Sequence, residues 1–443
     1  MTGRKAAKSS GVRWHIAALG ERIRRAGVLN SIGILVSGTA AAHAITALAM
    51  PVVTRLFTPA DFAAAAAFSS LVGILVVAVC LRFEVAIPLP EDDAEAANLL
   101  ALSAGSTVLA ALVAAVLVVV LPDSVLALLG QPTLIPYLWL LPIALLIGGL
   151  YLALQMWFVR RKAFCPIARS RIVQSTASVG GQLGLGWAGL GPLGLLVGQV
   201  LNYGAGAITL GIGLLLRERP ALARISLAGM ARAARIHHRF PRYSVWEALA
   251  NAASIHLPIL LIAAMAIGPE AGYLTLAIFL LQAPMALVGN AVGQVYLSGA
   301  PEAHRQGQMR AYTLRMIWGL AKVAALPILA LALLSPFVFG LVFGEAWVRA
   351  GVLVVWMAPW FFLQFVSSPV SMALNVVGAQ STAMLLQVGG LVFRGGLVLA
   401  AGLLHPAIIS ETYALTGAVF YATFLIVTLQ KVGHAAQSDA SSV

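Results

Sequence analysis

The sequence predicts an all-α, multi-pass membrane protein of about twelve transmembrane helices, arranged as two six-helix lobes. Three observations predict it. Of the 443 residues, 60% are hydrophobic and 10% are charged, which leaves too little polar surface to cover a soluble domain of that length. Apolar runs of roughly 20 residues or more, the length a spanning helix needs, follow one another with almost no polar sequence between them. The basic residues, finally, collect on alternate loops.

Twelve runs meet the length requirement. Six fall near 28–54, 62–86, 96–121, 134–158, 166–188 and 192–215; six more fall near 243–267, 271–297, 314–340, 350–375, 381–404 and 407–430. They are continuous rather than alternating in polarity, so they read as helices and not as strands of a closed barrel. Residues 1–26 form a basic N-terminus, and the run behind them is too long for a signal-peptide core and lacks an obvious cleavage site. It is read as a retained first helix. Pro51, late in that helix, is followed by Pro59-Ala-Asp61-Phe62, which opens the second span. Pro258 in the seventh span is followed by Pro269-Glu270-Ala-Gly-Tyr273, which opens the eighth, so the halves 27–215 and 243–431 echo each other. Six plus six helices about an axis along the membrane normal is a known transporter plan.

Glu91, Asp92, Asp93 and Glu95 stand at the start of the third span, where acids suit the N-terminal dipole. In the Gly-rich fifth and sixth spans, Gly180 and Gly184 have the spacing that lets helices approach closely. The linker 216–242 can form an amphipathic helix, with Leu222, Ile225, Ala233, Ile236 and Phe240 on one face and Arg224, Arg232, Arg235 and Arg239 on another. Such a helix would lie along the inner leaflet; a solvated basic linker is the alternative. The tail 432–443 is polar enough to be disordered.

The formal charge of +13 is concentrated before the first span and after the fourth, sixth, eighth and twelfth, with only Arg55 and Arg349 at the opposite end. This bias places both termini in the cytoplasm and removes the case for nucleic-acid binding. Cys80 and Cys165 then face a reducing compartment, so no disulfide is expected. There is no GxxxxGK[ST] loop, no HExxH and no Cys/His cluster, so neither ATP hydrolysis nor a metal centre is indicated, and no cofactor is expected.

Four stretches carry a family likeness: SGTAAAHAITALAMPVVTRLFTPADFAAAAAF, LRFEVAIPLPEDDAEAANLLALS, WFVRRKAFCPIARSRIVQSTASVGGQLGLG and LVFGEAWVRAG. Together they resemble the oligosaccharide (O-antigen type) flippases of the multidrug, oligosaccharidyl-lipid and polysaccharide (MOP) exporter superfamily, most strongly over residues 30–205. One departure is Ala63, where that family is expected to carry Gly. The resemblance implies a MATE-like fold and movement of a polyprenyl-diphosphate-linked oligosaccharide from the inner to the outer leaflet of a bacterial inner membrane. It implies a role in O-antigen, capsule or exopolysaccharide assembly, with membrane lipid, a polysaccharide polymerase and a chain-length regulator as candidate partners. A coupling ion, proton or sodium, would drive the step. The rival readings are a multidrug antiporter of the same superfamily, which would prefer acids and aromatics to a cationic cavity, and a membrane glycosyltransferase or polymerase. The former enzyme would use the acids at 91–95 to hold a metal, and the latter would need a sizeable outer loop.

A diphosphate calls for cations, best supplied by the paired donors of Arg. Four basic residues are candidates for a substrate-binding cavity. Arg394 lies about 18 Å into the eleventh span at 1.5 Å per residue, near the midplane, where lipid exposure would cost about 2.5–3.5 kcal/mol. Lys322 either faces a cavity or snorkels from the basic end. Arg82, at the cytoplasmic end of the second span, either meets the diphosphate or anchors at the interface, and its spacing from Glu84 does not pair the two on a helix. Arg55 either binds substrate or caps the first helix. For ion coupling the candidates are His256, mid-span, and Asn251, which shares a polar stripe with Glu247 and Ser254. A structural hydrogen bond near the Pro258 break is the alternative for His256.

Overall fold

The structure is a computed structural model and describes residues 33–122, 131–377 and 379–441. The basic N-terminus lies outside the described residues. The first lobe is built from α1 (Gly33–Leu56), α2 (Pro59–Val76), α3 (Asp93–Val120), α4 (Leu140–Arg160), α5 (Phe164–Trp187) and α6 (Pro192–Arg217). A short helix, α7 (Leu227–Ile236), lies in the linker. The second lobe contains α8 (Val245–Met265), α9 (Glu270–Arg305), α10 (Met309–Phe343), α11 (Val348–Ser367), α12 (Gln380–Leu404) and α13 (Ile409–Ser441). No strand occurs among the described residues.

Among the described residues, ten helices are long and apolar enough to cross a membrane. The chain is a multi-pass membrane protein. The two long helices that miss that standard are α5 and α9. For α5 the reason is visible in its side chains. It carries Ser170, Gln174 and Ser175, all buried inside the lobe, so polarity that would be costly against lipid is hidden from it.

Within the first lobe α4 packs on α3 and α6, and α5 packs on α6. Gly181 of α5 comes against Leu201, and Gly198 of α6 against Gln182. Gly180 and Gly184 face open space, so the close approach predicted for that spacing is made by their neighbours instead. In the second lobe α11 packs on α10 and α13, and α13 on α12. The tail expected to be disordered from Val432 continues α13 to Ser441, with Val432 itself buried.

Two predicted spans are broken. The run 62–86 ends as α2 at Val76; Leu81 and Arg82 then adopt left-handed backbone with φ of 51° and 61°, and a short helix follows at Phe83–Ala86. A left-handed residue stops a helix, which hydropathy cannot register because the residues stay apolar. Phe83, Glu84, Ala86 and Ile87 are buried, so RFEVAI is a packed plug and not a helix end. The run 350–375 breaks likewise after Ser367, and a short helix follows at Ala373–Val376.

The lobes meet through α2, which packs against α8 and α9. TRLFTPADF supplies that joint: Thr58 and Asp61 form a reciprocal capping box, with Asp61 Oδ2 accepting from the Thr58 amide at 2.8 Å, and Pro59 opens α2. Trp347, from the stretch LVFGEAWVRAG, crosses between the lobes and donates from its indole nitrogen to the carbonyl of Thr54 at 2.9 Å. Its ring meets Phe62 edge to face at 4.7 Å. Gly272 of α9 lies against the Pro59 carbonyl, where a Cβ would collide with backbone. Gln131 donates to the Ala263 carbonyl at 2.8 Å in the same layer. The contacts of Trp347, Gly272 and Gln131 lie at the end opposite the basic loops, so the lobes are joined there, and the α2–α8 seam continues inward to Gly73.

Candidate intramembrane cavities

Each lobe holds a polar cavity. The one in the second lobe, about 250 Å³, is lined from α8, α11, α12, α13 and the turn after α11, with Asn251, Ser254, Ser367, Gln387, Arg394 and Tyr421 among its walls. The one in the first lobe, about 300 Å³, draws on α1, α4, α5 and α6. First, fourth, fifth and sixth spanning helices in one lobe match seventh, tenth, eleventh and twelfth in the other. The two cavities therefore occupy the same place in the two-fold plan. Among the described residues no carboxylate lines either of them.

Arg394 dominates the second-lobe cavity. Its guanidinium sits 4.5 Å from the Trp360 ring centre, 5.0 Å from Tyr413 and 6.0 Å from Phe420. Gly390, one turn back, makes room for Phe420, while Gly389, Gly395 and Gly396 leave open space around the helix. Aromatic faces stabilise a cation by about 0.5–2 kcal/mol and cannot accept its hydrogen bonds as an oxygen would. Consistent with that, Arg394 Nε and Nη2 are buried without a hydrogen-bond partner. Buried unpaired donors are costly, so this group is held in a state that an anion would relieve.

The other sequence candidates are dispersed. Lys322 is exposed on the outer surface of α10 beside exposed Trp318 and Val323, which fits a lysine reaching along the helix and not one in a cavity. Arg55 is exposed near the end of α1, away from both cavities. Arg82 pairs with buried Glu84 at 3.3 Å, a contact the sequence argument denied because it assumed an unbroken helix. The left-handed turn at Arg82 swings the two together. Asn251 lines the second-lobe cavity with Ser254, whose hydroxyl donates to the Asn251 carbonyl at 2.7 Å. His256 lies off that stripe, with its ring against Gly73 of α2 at the seam between lobes.

Two groups escaped the sequence reading. Arg171, within the predicted fifth span but not among its candidates, lines the first-lobe cavity and donates to the Thr39 hydroxyl. Its place inside a span that also carries Ser170, Gln174 and Ser175 was the available signal. At the joined end, Arg349 bonds Glu270 at 2.9 and 3.2 Å and Glu411 at 2.5 Å, tying α9, α11 and α13. Three of the acids at 91–95 are occupied: Asp92 caps α3, Asp93 pairs with Arg160 and Arg161, and Glu95 with His237. Among the described residues no group of His, Cys, Asp and Glu is placed to hold a metal.

Residues 52–351 match the sequence pattern of a polysaccharide biosynthesis protein family. The chain belongs to that family. No curated protein sequence matches it closely enough to add to this. Among solved structures, this family member is similar to the lipid II flippase MurJ in an inward closed conformation, at 10% identity, with a TM-score of 0.67 over 91% of this chain and 90% of that one. It is also similar to a MATE family multidrug resistance transporter of the MOP superfamily in its inward-facing conformation, at 13% identity and a TM-score of 0.63 over 89% and 96% of the two chains. An outward-facing conformation of such a transporter gives 12% identity and 0.55 over 91% and 96%. The fold of this polysaccharide biosynthesis protein is therefore the MOP fold.

Proposed function

We propose that the protein is a flippase that carries a polyprenyl-diphosphate-linked oligosaccharide across a bacterial inner membrane by alternating access, for surface polysaccharide assembly. The observation that carries this is Arg394, a mid-membrane guanidinium with two buried, unpartnered donors in a cavity that no carboxylate lines. A diphosphate supplies the acceptors those donors lack, while the polyprenyl tail stays in lipid throughout. Membership of a polysaccharide biosynthesis family supports the sugar-linked cargo. A multidrug antiporter would need acids in these cavities to hold cationic compounds, and their linings offer none. Lobes joined at one end and cavities set toward the basic end describe the inward-facing half of the cycle, given a cytoplasmic basic end.

Vesicles containing the purified protein should move a short polyprenyl-diphosphate oligosaccharide between leaflets, read by its accessibility to an external glycosidase. A rate equal to that of protein-free vesicles would overturn the reading. The orientation has its own test in the native cysteines. Cys165 is exposed at the start of α5, whereas Cys80 is buried between the Thr107 hydroxyl and the Gly149 carbonyl, each at 3.3 Å. A membrane-impermeant maleimide should label inside-out vesicles at Cys165 alone and leave intact cells unlabelled. Labelling of Cys165 from outside the cell would reverse the assignment.

A further inference from the structure

The first-lobe cavity has no role in the account above. Its walls differ from those of its counterpart. Arg171, the one cation there with a fixed charge, already gives a hydrogen bond to Thr39. The Ser175 and Thr46 hydroxyls bond each other at 2.9 Å, and Ser175 also donates to the Ala42 carbonyl at 2.7 Å. What remains is the His43 imidazole on α1 and, across from it, a pair of amides beside an aromatic wall. Gln174 is 7% exposed, and its Nε2 is buried with no hydrogen-bond partner. The absence of a side chain at Gly206 makes room for that amide beside Tyr151, since a Cβ there would strike both. Asn202, half-buried on α6, brings a second amide to the same cavity.

Neutral amides carry a donor and an acceptor each, and so match hydroxyl and acetamido groups better than they match a phosphate. A tyrosine face covers the apolar side of a sugar ring. The volume, about 300 Å³, stands at the lower end of the range of about 300–1,000 Å³ for small-molecule sites. We infer that the first-lobe cavity is the sugar subsite, which reads the hydroxyl and amide groups of the oligosaccharide through Gln174 and Asn202 while Arg394 in the opposite lobe holds the diphosphate. This rests on the flippase reading and divides its substrate between the two cavities that the two-fold plan makes equivalent. The division explains why equivalent positions carry different chemistry: a caged cation with two unpartnered donors on one side, and a tied cation with a free amide on the other.

The test separates the two claims by probing them with different molecules. Gln174→Leu and Asn202→Leu, singly and together, are introduced into the full chain, with Arg394→Ala alongside. Surface polysaccharide is measured in a flippase-deficient strain. Binding of farnesyl diphosphate, which carries no sugar, is measured on the purified proteins in lipid nanodiscs. The double variant should lower polysaccharide about tenfold or more at equal membrane abundance and leave farnesyl diphosphate affinity within about twofold, whereas Arg394→Ala should weaken that affinity about tenfold. Normal polysaccharide from the double variant would overturn the sugar subsite. So would a loss of farnesyl diphosphate affinity as large as that of Arg394→Ala, because the cavity would then be holding phosphate. Should Gln174→Leu deplete the protein from the membrane, the less buried Asn202→Leu decides by itself on the same two readouts. Unchanged farnesyl diphosphate binding in Arg394→Ala would instead remove the diphosphate site, and with it the flippase reading, whatever the amide variants do.

Discussion

Arg394→Ala is expected to cut surface polysaccharide about tenfold or more in a flippase-deficient strain. The substitution removes the cavity cation and with it the donors that a diphosphate would pair. Its structural cost is the loss of contacts with Trp360, Tyr413 and Phe420, each worth about 0.5–2 kcal/mol. Membrane abundance is therefore measured alongside. Arg394→Met keeps the length and packing against the three rings while removing the charge, and should be as inactive as Ala at near-normal abundance. Arg394→Lys keeps the charge but loses the planar fork, so it should restore part of the activity. Full polysaccharide from the Met variant would sink the role given to this residue. If Met and Ala both vanished from the membrane while Lys persisted, the charge would be needed for folding and not for transport.

Arg349→Met is expected to be the most destabilising single change at the joined end of the second lobe. Removing the arginine leaves Glu270 and Glu411 facing each other with 11% and 14% of their side chains exposed and no counter-charge. Breaking a buried pair in this way costs about 3–5 kcal/mol; because Arg349 itself is 31% exposed, solvent screening puts the expected loss at about 2–3 kcal/mol. The triple variant Arg349→Met, Glu270→Gln, Glu411→Gln removes the uncompensated charge and should recover most of that loss, since amides can hydrogen-bond across the same gap. Thermal unfolding of the detergent-solubilised protein, followed by exposure of Cys80, compares them. Equal unfolding temperatures for wild type and Arg349→Met would mean that the cluster contributes nothing. A triple variant as unstable as the single one would mean that packing, not charge, is what Arg349 supplies.

The polysaccharide family was legible because its motifs are joints. TRLFTPADF encodes a capping box and a proline start, RFEVAIPLP a left-handed break and a buried plug, and LVFGEAWVRAG the tryptophan and arginine that pin the joined end. These are local signals, each dictated by a few neighbouring residues. Arg394 was legible for a related reason, as a charge deep in an apolar run has few affordable positions. For Lys322 and Arg55 the sequence left cavity or snorkel, and binding or capping, open, because hydropathy gives depth along a helix and says nothing of which side faces lipid; the fold puts both on exposed surface. Arg171 is the opposite case: it lies within the predicted fifth span close behind Arg160, Arg161 and Lys162, and only the fold shows its helix turning it inward against Thr39.

Length, hydropathy and charge bias by themselves determined a helical membrane protein with a basic end, since every backbone polar group in lipid must be satisfied within its own segment. They also fixed the approximate order of its helices and the polarity of the loops. Only the tertiary structure decided that α2 and α11 are broken, that α2 joins the lobes, and that two equivalent cavities hold different chemistry. The physical reason is distance along the chain. Caps, breaks and hydropathy act over a few residues, whereas the Arg394 cage needs Trp360, Tyr413 and Phe420 from two other helices, and the first-lobe amides need α5 and α6 packed through Gly181, Gly198 and Gly206.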